Sequence, residues 1–246
     1  MLPRSGGGRH GALVLHGITG TPSSVRGLAD AFAGAGLAVA SPLLPGHGTV
    51  VEDLAEVGWA DWTAAVDGAY RDLAARCERV VVAGLSMGGT LACWLATRHP
   101  GIAGVVCVNP MIDPPAPSFL DLLRDWVAQG AAMLPAIGAD IARPGVSEPS
   151  YTQLPVAALL SLLEGVAALE PELGRITSPL LVFTSRQDHV VPPRSGDVLA
   201  ERVSGPVERV WLERSFHVAT LDHDAEDIER AAAAFAGAVT ARAPSP

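Results

Sequence analysis

The sequence predicts an α/β fold in which a mostly parallel sheet is flanked by helices and carries one helical insertion. Short apolar runs rich in β-branched residues alternate with segments of helical periodicity, which is typical of a parallel sheet with crossover helices. The alternation stops after Asp113 and resumes near residue 172. We therefore expect core segments at residues 1–113 and 172–246. A helical cap is expected at residues 114–171, inserted after the strand at 105–108.

The core segments read as alternating strands and helices. Buried strands are expected at residues 12–15, 37–40, 79–83 and 105–108, with helices at 24–35, 59–76 and 89–98 between them. Gly36 follows the first of these helices and Pro100 follows the third, which marks their ends. After the insertion we expect strands at 179–184 and 207–212 and helices at 194–203 and 225–239.

The insertion at 114–171 is broken by prolines and helical in pattern, and we expect no strand in it. Two apolar stripes recur at helical spacing: Phe119, Leu122, Leu123, Trp126 and Val127, and then Leu159, Leu160, Leu162, Leu163 and Val166. Such stripes fit a lid over the carboxyl ends of the strands, where parallel sheets bind ligands. They fit ordinary core helices equally well.

Composition and charge exclude several classes of function. The net charge of −9 argues against a nucleic-acid partner. The chain contains no lysine, so a Schiff-base lysine, a pyridoxal-phosphate lysine and a P-loop lysine are excluded. Its three cysteines, Cys77, Cys93 and Cys107, lie in or beside predicted helices and strands. They fit buried thiols better than a disulfide or a metal site.

We expect a soluble, cytoplasmic protein without a metal or a cofactor. Residues 1–10 contain no apolar core of a signal peptide, and no apolar run approaches the length of a membrane span. The odd number of cysteines is consistent with a reducing compartment.

Gly84, Ser86 and Gly88 form a Gly-x-Ser-x-Gly pattern between the strand at 79–83 and the helix that follows it. A serine at a sharp strand-to-helix turn is held in a strained conformation that exposes its hydroxyl group above the sheet. Glycines leave room for the backbones that pack there, and the helix directs its free N–H groups at developing negative charge. The pattern predicts a nucleophilic serine; a chance glycine-rich turn is the alternative.

Such a serine needs a histidine base and an acid that orients the histidine. Asp188 lies just beyond the strand at 179–184, and His217 follows the strand at 207–212. Both side chains are therefore expected at the same edge of the sheet as Ser86. The order Ser, Asp, His along the chain also fits a triad on this kind of fold. We assign Ser86 as the nucleophile, His217 as the base and Asp188 as the acid.

Other acids and histidines compete for these roles. Asp113 also follows a strand end and is the main rival for the acid. His47 lies in a turn bounded by glycines, where we favour a structural imidazole over a catalytic one. His189 is adjacent to the assigned acid and is expected to point elsewhere. His223 is the weaker candidate for the base because it lies near a predicted helix start.

An acyl-transfer site also needs two backbone N–H groups that bind the oxyanion of the tetrahedral intermediate. Met87 directly follows the nucleophile and is expected to supply one of them. Ile18, in the loop after the first strand, is expected to supply the other. Gly17 lets that loop lie close to the substrate, so we count it among the substrate-binding residues.

Five short motifs are spread along the chain: HGITGTP at 16–22, GHGT at 46–49, GLSMGGTL at 84–91, DHVVPP at 188–193 and HVATLD at 217–222. In these motifs, and from about residue 11 to residue 236, the chain resembles the small bacterial monoacylglycerol lipases and related carboxylesterases of the α/β-hydrolase family. The resemblance implies ester hydrolysis without a metal and a small cap over an acyl tunnel. It also implies that Ile141 faces the substrate.

The chain departs from these lipases at one position. The resemblance implies a cap carboxylate that follows a tyrosine and binds glycerol hydroxyls, but here Thr152 follows Tyr151. Threonine forms hydrogen bonds without the charge of a carboxylate. We therefore expect Thr152 to contact the substrate. We also expect hydrolysis of a broad range of short- to medium-chain acyl esters, monoacylglycerols included.

Other functions fit the same residues. An acyltransferase or perhydrolase uses the same triad and differs in the nucleophile that attacks the acyl-enzyme. A non-catalytic ligand-binding protein can share the fold, although the complete triad argues against it. The expected partners are a small-molecule ester and, transiently, lipid aggregates. The oligomeric state is left open.

Overall fold

The computed structural model describes residues 8–136 and 140–241, which form eight strands and eight α-helices. The strands are β1 (His10–Leu15), β2 (Ala38–Ala40), β3 (Arg79–Leu85), β4 (Gly104–Val108), β5 (Met133–Pro135), β6 (Gln153–Pro155), β7 (Leu180–Ser185) and β8 (Val207–Leu212). The helices are α1 (Arg26–Gly34), α2 (Val51–Ala55), α3 (Trp59–Ala74), α4 (Met87–Arg98), α5 (Pro117–Ala128), α6 (Val156–Leu169), α7 (Arg194–Arg202) and α8 (Ala225–Ala241). Residues 1–7, within the segment where the sequence predicts no signal core, lie outside the described ranges.

Six of the strands form one sheet in the order β2-β1-β3-β4-β7-β8, and every pairing in it is parallel. The predicted parallel sheet is therefore confirmed. Because neighbouring strands run in the same direction, their carboxyl ends meet at one edge. The loops that follow β1, β3, β7 and β8 all start at this edge.

A hydrophobic layer covers each face of the sheet. In β1, Leu13 packs in the layer that contains Trp62 of α3, whereas Val14 packs in the layer that contains Phe32 of α1. Successive side chains of a strand point to opposite faces. The unbroken apolar run of β1 is therefore explained by burial on both faces, as the sequence pattern predicts.

The insertion contains two strands, so the prediction that it has none was wrong. β5 and β6 pair in antiparallel fashion, with Met133 opposite Pro155 and Pro135 opposite Gln153. Each strand has three residues. A run this short shows no readable alternation of polar and apolar residues, and its partner is distant in sequence.

The sequence left open whether the apolar stripe of α6 belongs to a lid or to the core, and the structure shows it in both. Leu163 packs with Leu123 of α5 in a small cluster within the insertion, whereas Leu162 and Val166 pack in the main core. The stripe of α5 is less buried, since Leu123 is inaccessible but Phe119 is 41% exposed. The second half of the insertion is thus anchored on the sheet layer.

Most other elements lie within two residues of their predicted bounds. The helix expected at 24–35 is a 3-10 turn at Pro22–Val25 followed by α1, and α2 was not predicted. No helix in the described part of the chain is long and apolar enough to cross a membrane.

Candidate active site

Ser86 is the single residue between β3 and α4, at the carboxyl edge of the sheet. Its backbone has φ 53 and ψ −120, a conformation that is strained for a residue with a side chain. A Cβ at Gly84 would lie 2.2 Å from the carbonyl carbon of Gly88, and one at Gly88 would lie 2.2 Å from the carbonyl oxygen of Leu15. The two glycines therefore allow α4 to start against β3 and β1.

The structure brings His217 and Asp188 together. Nδ1 of His217 donates a hydrogen bond to Oδ2 of Asp188 at 2.8 Å, and the two side chains are 8% and 2% exposed. The other oxygen of Asp188 accepts the N–H groups of Val190 and Val191 at 2.9 and 2.7 Å. Since Nδ1 carries the proton, Nε2 has the free lone pair that a base needs. Ser86 and His217 line the same cavity.

Asp113 also lines this cavity, but it has a different partner. Its Oδ2 lies 3.1 Å from Nε of Arg194. Its backbone N–H donates to Oγ of Ser195 at 3.1 Å. Asp188 bonds to the imidazole of His217, whereas Asp113 pairs with Arg194.

Of the remaining histidines considered from the sequence, His47 and His189 have partners of their own. His47 is buried, its Nδ1 donates to the carbonyl oxygen of Pro45 at 2.8 Å, and burial lowers its pKa. Nδ1 of His189 lies 2.8 Å from a carboxylate oxygen of Asp140, and His223 is exposed. None of the three is among the described residues that line the cavity.

The loop after β1 passes directly beside Ser86. A Cβ at Gly17 would lie 3.4 Å from Cβ and 3.9 Å from Oγ of Ser86. Ile18 lines the cavity at this point. Met87 is the first residue of α4, so its N–H has no partner within the helix, and its side chain is buried in the core. Of the two backbones assigned to the oxyanion hole, that of Met87 directly follows Ser86, and that of Ile18 follows the glycine beside it.

The cavity has a volume of about 620 Å³ and a mostly apolar wall. Much of that wall comes from the insertion, through Phe119, Leu134, Leu154, Leu159, Leu162 and Leu163. Apolar walls with a few polar groups at one place are typical of sites for small, largely apolar ligands. The arrangement suits an acyl chain that lies under the insertion.

Two predicted substrate-binding residues lie elsewhere. Thr152 is exposed, and its carbonyl oxygen accepts the N–H of Ala136. Ile141 packs against one of the two core layers. Neither is among the described residues that line the cavity, so the structure does not support the substrate contacts expected of them. Both contacts were expected from the resemblance to known lipases, and they stay predictions.

Glu148 is a cavity residue that the sequence did not single out. It is partly buried and lines the same cavity as Ser86. Burial raises the pKa of its carboxyl group. A hydrogen bond with Ser24 and the charge of the His217 imidazole lower this pKa, but by less than burial raises it. A lone glutamate in an irregular segment has no periodicity or spacing that could have revealed it.

Three further carboxylates hold the loop that carries His217, a role that no pattern in the sequence predicts. Successive residues of this loop donate to them: Arg214 and Ser215 to Asp224, Phe216 to Asp222, and His217 to Asp140. The N–H groups of Ala142 and Arg143 donate to Asp222 as well. The segment at 140–143, which lies within the insertion, is therefore bound to the histidine loop.

Asn109 supports the same loop from the end of β4. Its backbone has φ 45, which asparagine tolerates better than most residues. Its side chain accepts the N–H of Ser185 at 2.8 Å and donates to the carbonyl oxygen of His217 at 2.8 Å. The ends of β4 and β7 are thereby joined to the residue assigned as the base.

His16, directly before the oxyanion loop, is fully buried. Its Nδ1 donates to the carbonyl oxygen of Gly17 at 2.9 Å, and its Nε2 accepts the N–H of Leu44 at 3.1 Å. The ring meets that of His47 edge to face, with 4.9 Å between centroids. Burial and the neighbouring His47 lower the pKa of His16 to about 3. This imidazole is therefore a neutral structural link.

Comparisons with known proteins agree with this geometry. The hydrolase family described as Serine aminopeptidase, S33 matches residues 9–224. The chain is 43% identical over 218 residues to the thermostable monoacylglycerol lipase of Bacillus sp. (strain H-257), a match that covers 87% of this chain and 85% of the lipase. It is 28% identical over 221 residues to a carboxylesterase of Bacillus subtilis (strain 168), covering 89% and 88% of the two chains.

A solved structure is similar over nearly the whole length. It comes from LipS and LipT, two metagenome-derived lipolytic enzymes, and gives a TM-score of 0.90 at 42% identity. The match covers 95% of this chain and 96% of the other. The chain therefore shares its fold with this structure over nearly its whole length.

Proposed function

We propose, because this chain belongs to the hydrolase family described as Serine aminopeptidase, S33, that Ser86, His217 and Asp188 carry out ester hydrolysis through an acyl-enzyme. The chain is a carboxylic ester hydrolase with the α/β-hydrolase fold, as the sequence predicts. The observation that carries the proposed roles is the buried hydrogen bond from His217 to Asp188, because His217 and Ser86 line the same cavity.

The proposed substrates are short- to medium-chain acyl esters, with monoacylglycerols among them. Two features support this choice. The relative from Bacillus sp. (strain H-257) is a monoacylglycerol lipase, and the cavity wall is apolar where an acyl chain would lie. Residues 114–171 act as the cap in this proposal, and each methylene buried beneath it contributes about 0.8 kcal/mol.

Acylation begins with proton transfer from the Ser86 hydroxyl to Nε2 of His217. Asp188 keeps the imidazole in the Nδ1–H tautomer and stabilises the imidazolium that forms. The Ser86 oxygen then bonds to the ester carbonyl carbon, and the N–H groups of Ile18 and Met87 bind the resulting oxyanion. Collapse of this intermediate breaks the ester bond, and His217 gives its proton to the departing alcohol oxygen.

Deacylation repeats these steps with water. His217 removes a proton from the water, whose oxygen bonds to the acyl carbon, and the proton is returned to the Ser86 oxygen as the carboxylic acid leaves. An added alcohol that took the place of water would give acyl transfer instead. The products formed in water with and without such an alcohol therefore distinguish the two activities.

We further propose that the enzyme works in the cytoplasm on a small-molecule ester. Support comes from its three cysteines, which are buried free thiols, with 3.6 Å between the sulfur atoms of Cys93 and Cys107. Cytoplasmic thiols are kept reduced, whereas secreted proteins use such pairs as disulfides.

Ser86→Ala tests the proposed function directly. We expect turnover of p-nitrophenyl butyrate and of a monoacylglycerol to fall on the order of a millionfold, because no acyl-enzyme can form. Ser204→Ala is the matched control, since Ser204 is exposed and its hydroxyl bonds to the carbonyl oxygen of Gly174. Steady-state kinetics measure the loss, and mass spectrometry of the wild type with a slow ester detects the acylated serine.

Two results would contradict the proposal. The first is turnover by Ser86→Ala close to that of the wild type. The second is faster cleavage of an aminoacyl p-nitroanilide than of any ester in an acyl-length series, which would make the enzyme an aminopeptidase. A series of glycerol and ethyl esters of increasing acyl length would also define how much chain the cavity accepts.

A further inference from the structure

One side chain of the insertion bonds to both loops that carry the residues assigned as acid and base. Oδ2 of Asp140 accepts the backbone N–H of His217 at 3.0 Å. The same oxygen accepts the backbone N–H of His189, the residue directly after Asp188, at 3.1 Å. The loop of the acid and the loop of the base therefore meet at a single carboxylate oxygen.

The turn after Asp188 uses three successive N–H groups as donors to carboxylates. Those of Val190 and Val191 donate to Oδ1 of Asp188 itself, at 2.9 and 2.7 Å. The N–H of His189, which comes before them, donates to Asp140 instead. Asp188 thus holds its own turn, and Asp140 attaches that turn to the insertion.

The base is attached to the insertion at two adjacent positions. The N–H of His217 donates to the carboxylate of Asp140, and the N–H of Val218 donates to the backbone carbonyl oxygen of Asp140 at 3.0 Å. The carbonyl oxygen of His217 accepts a hydrogen bond from the side chain of Asn109. Both backbone polar groups of His217 are therefore bonded, so the direction of its imidazole depends on its side-chain torsions alone.

Asp140 is suited to this task by burial and charge. Its side chain is 11% exposed, and its Oδ1 lies 2.8 Å from Nδ1 of His189. Burial raises the pKa of its carboxyl group, but the hydrogen bonds from His189 and His217 lower this pKa more, so that it lies below its usual range. The ring of His189 is 57% exposed, and exposed ion pairs contribute little. The bonds to the two backbone N–H groups are therefore the contacts that matter.

We infer that Asp140 is a positioning residue, which sets the acid loop against the base loop and keeps Nδ1 of His217 aligned on Asp188. The inference rests on the proposed function. Asp140 is not among the described residues that line the cavity, so it acts through His217 and not on the substrate. The insertion then has a second role besides its part in the cavity wall, because it supplies the acceptor that holds the acid and the base together.

Asp140→Ala removes this acceptor. We expect kcat for p-nitrophenyl butyrate to fall about a hundredfold, the scale for a reacting group displaced by about 1 Å. KM should stay within about threefold of the wild-type value, because the contact acts on the transition state and not on substrate binding. Steady-state kinetics measure both constants, and urea denaturation followed by circular dichroism gives the folded fraction.

Two further variants separate geometry from charge at this position. Asparagine can present its carbonyl oxygen to the N–H groups of His189 and His217 and its amide N–H to the ring of His189. Asp140→Asn should therefore keep kcat within about tenfold of the wild type, although its hydrogen bonds are weaker. Asp140→Glu keeps the charge but moves the carboxylate outward by one methylene, so it should lower kcat more than Asp140→Asn does.

The matched control is Asp121→Ala. Asp121 lies on α5 in the same insertion, is exposed and pairs with Arg124, so its loss should leave kcat unchanged. Proton NMR supplies a readout that needs no turnover, namely the low-field resonance of Nδ1–H of His217, identified by its absence in His217→Gln. We expect this resonance in the wild type and its broadening or loss in Asp140→Ala, because a misaligned N–H exchanges faster with water.

The outcomes separate the inference from the proposed function. If the wild type hydrolyses no ester but the resonance is lost in Asp140→Ala, the proposed function fails and the positioning of His217 by Asp140 stands. A lower free energy of unfolding in Asp140→Ala with unchanged kcat per folded enzyme would overturn the inference, since the role is then structural. Full activity in Asp140→Glu with a loss in Asp140→Asn would also overturn it, because charge and not geometry is then required. These two variants decide the matter if Asp140→Ala does not fold.

Discussion

Two aspartates lie at the carboxyl edge of the sheet, and their partners differ. Asp188 bonds to Nδ1 of His217 and is itself fixed by two backbone N–H groups, whereas Asp113 faces Arg194. An acid that orients the base must accept the Nδ1 proton, because the wrong tautomer has no lone pair at Nε2. The contact with the imidazole, and not proximity to the cavity, supports the assignment of Asp188 as the acid.

We therefore expect Asp188→Asn to lower kcat about ten-thousandfold, the scale known for an asparagine that stabilises the wrong tautomer. Asp113→Asn should change kcat by less than about tenfold, since it removes a charge without touching the imidazole. Steady-state kinetics on one chromogenic ester compare the two variants. A larger loss in Asp113→Asn would transfer the acid role to the end of β4.

Single residues were predictable where the chemistry demands a type and a spacing. Ser86, Asp188 and His217 each follow a strand of the parallel sheet in an order that fits the fold, so pattern alone predicted their place at this edge. Glu148 and Asp140 lie in irregular chain, where no period or motif sets the direction of a side chain. Their positions depend on the tertiary path of the insertion, which the sequence does not reveal.

Among the elements, the turn from β3 to α4 leaves no room for a side chain at Gly84. A Cβ at Gly84 would overlap the backbone of Gly88 and Gly89, which cannot move without displacing the start of α4. Gly68, in contrast, lies exposed in the interior of α3 with nothing within 4 Å of an added Cβ. The same substitution at these two glycines therefore has opposite effects.

Gly84→Ala should lower the free energy of unfolding by about 3 kcal/mol or more, because backbone atoms must shift to admit the methyl group. Gly68→Ala should raise it by about 0.5–1 kcal/mol, the usual gain for alanine over glycine within a helix. Urea denaturation followed by circular dichroism measures both changes. A stable Gly84→Ala with full activity would show that the turn has space which the structure does not contain.

The core elements were predictable because each is long enough to show its period, as in the seven residues of β3 and the sixteen of α3. β5 and β6 were not, since three residues carry no reliable alternation. The 3-10 turn at Pro22–Val25 was also missed, because proline at the start of a helix is common in both helix types.

For the whole molecule, the buried imidazoles make folding depend on pH. In the unfolded chain His16 has an ordinary pKa near 6.5, whereas in the folded protein it is about 3. Above pH 6.5 both states hold the neutral ring, so the residue contributes no pH dependence. As the pH falls from about 6.5 towards 3, only the unfolded state binds the proton, and stability is lost. Burial lowers the pKa of His47 too, which acts in the same direction.

At pH 5 the expected loss from His16 is about 2 kcal/mol relative to pH 7, from 1.36 kcal/mol for each pKa unit. His16→Gln should reduce the change in unfolding free energy between these pH values by about that amount. His223→Gln, at an exposed position, is the control. Urea titrations at both pH values measure the unfolding free energy. If its change between pH 7 and pH 5 were the same in His16→Gln as in the wild type, His16 would have to be protonated in the folded state.

The hydrogen bonds between the segment at 140–143 and the histidine loop affect how relatives of this enzyme can diverge. Asp140 accepts the N–H of His217, and Asp222 bonds to both Phe216 and Ala142. A chimera that received its cap from another hydrolase would lose the first acceptor and leave donors of the loop unsatisfied. The insertion and the loop that carries His217 are therefore expected to evolve together. An insertion from another hydrolase should be accepted only with a histidine loop that matches it.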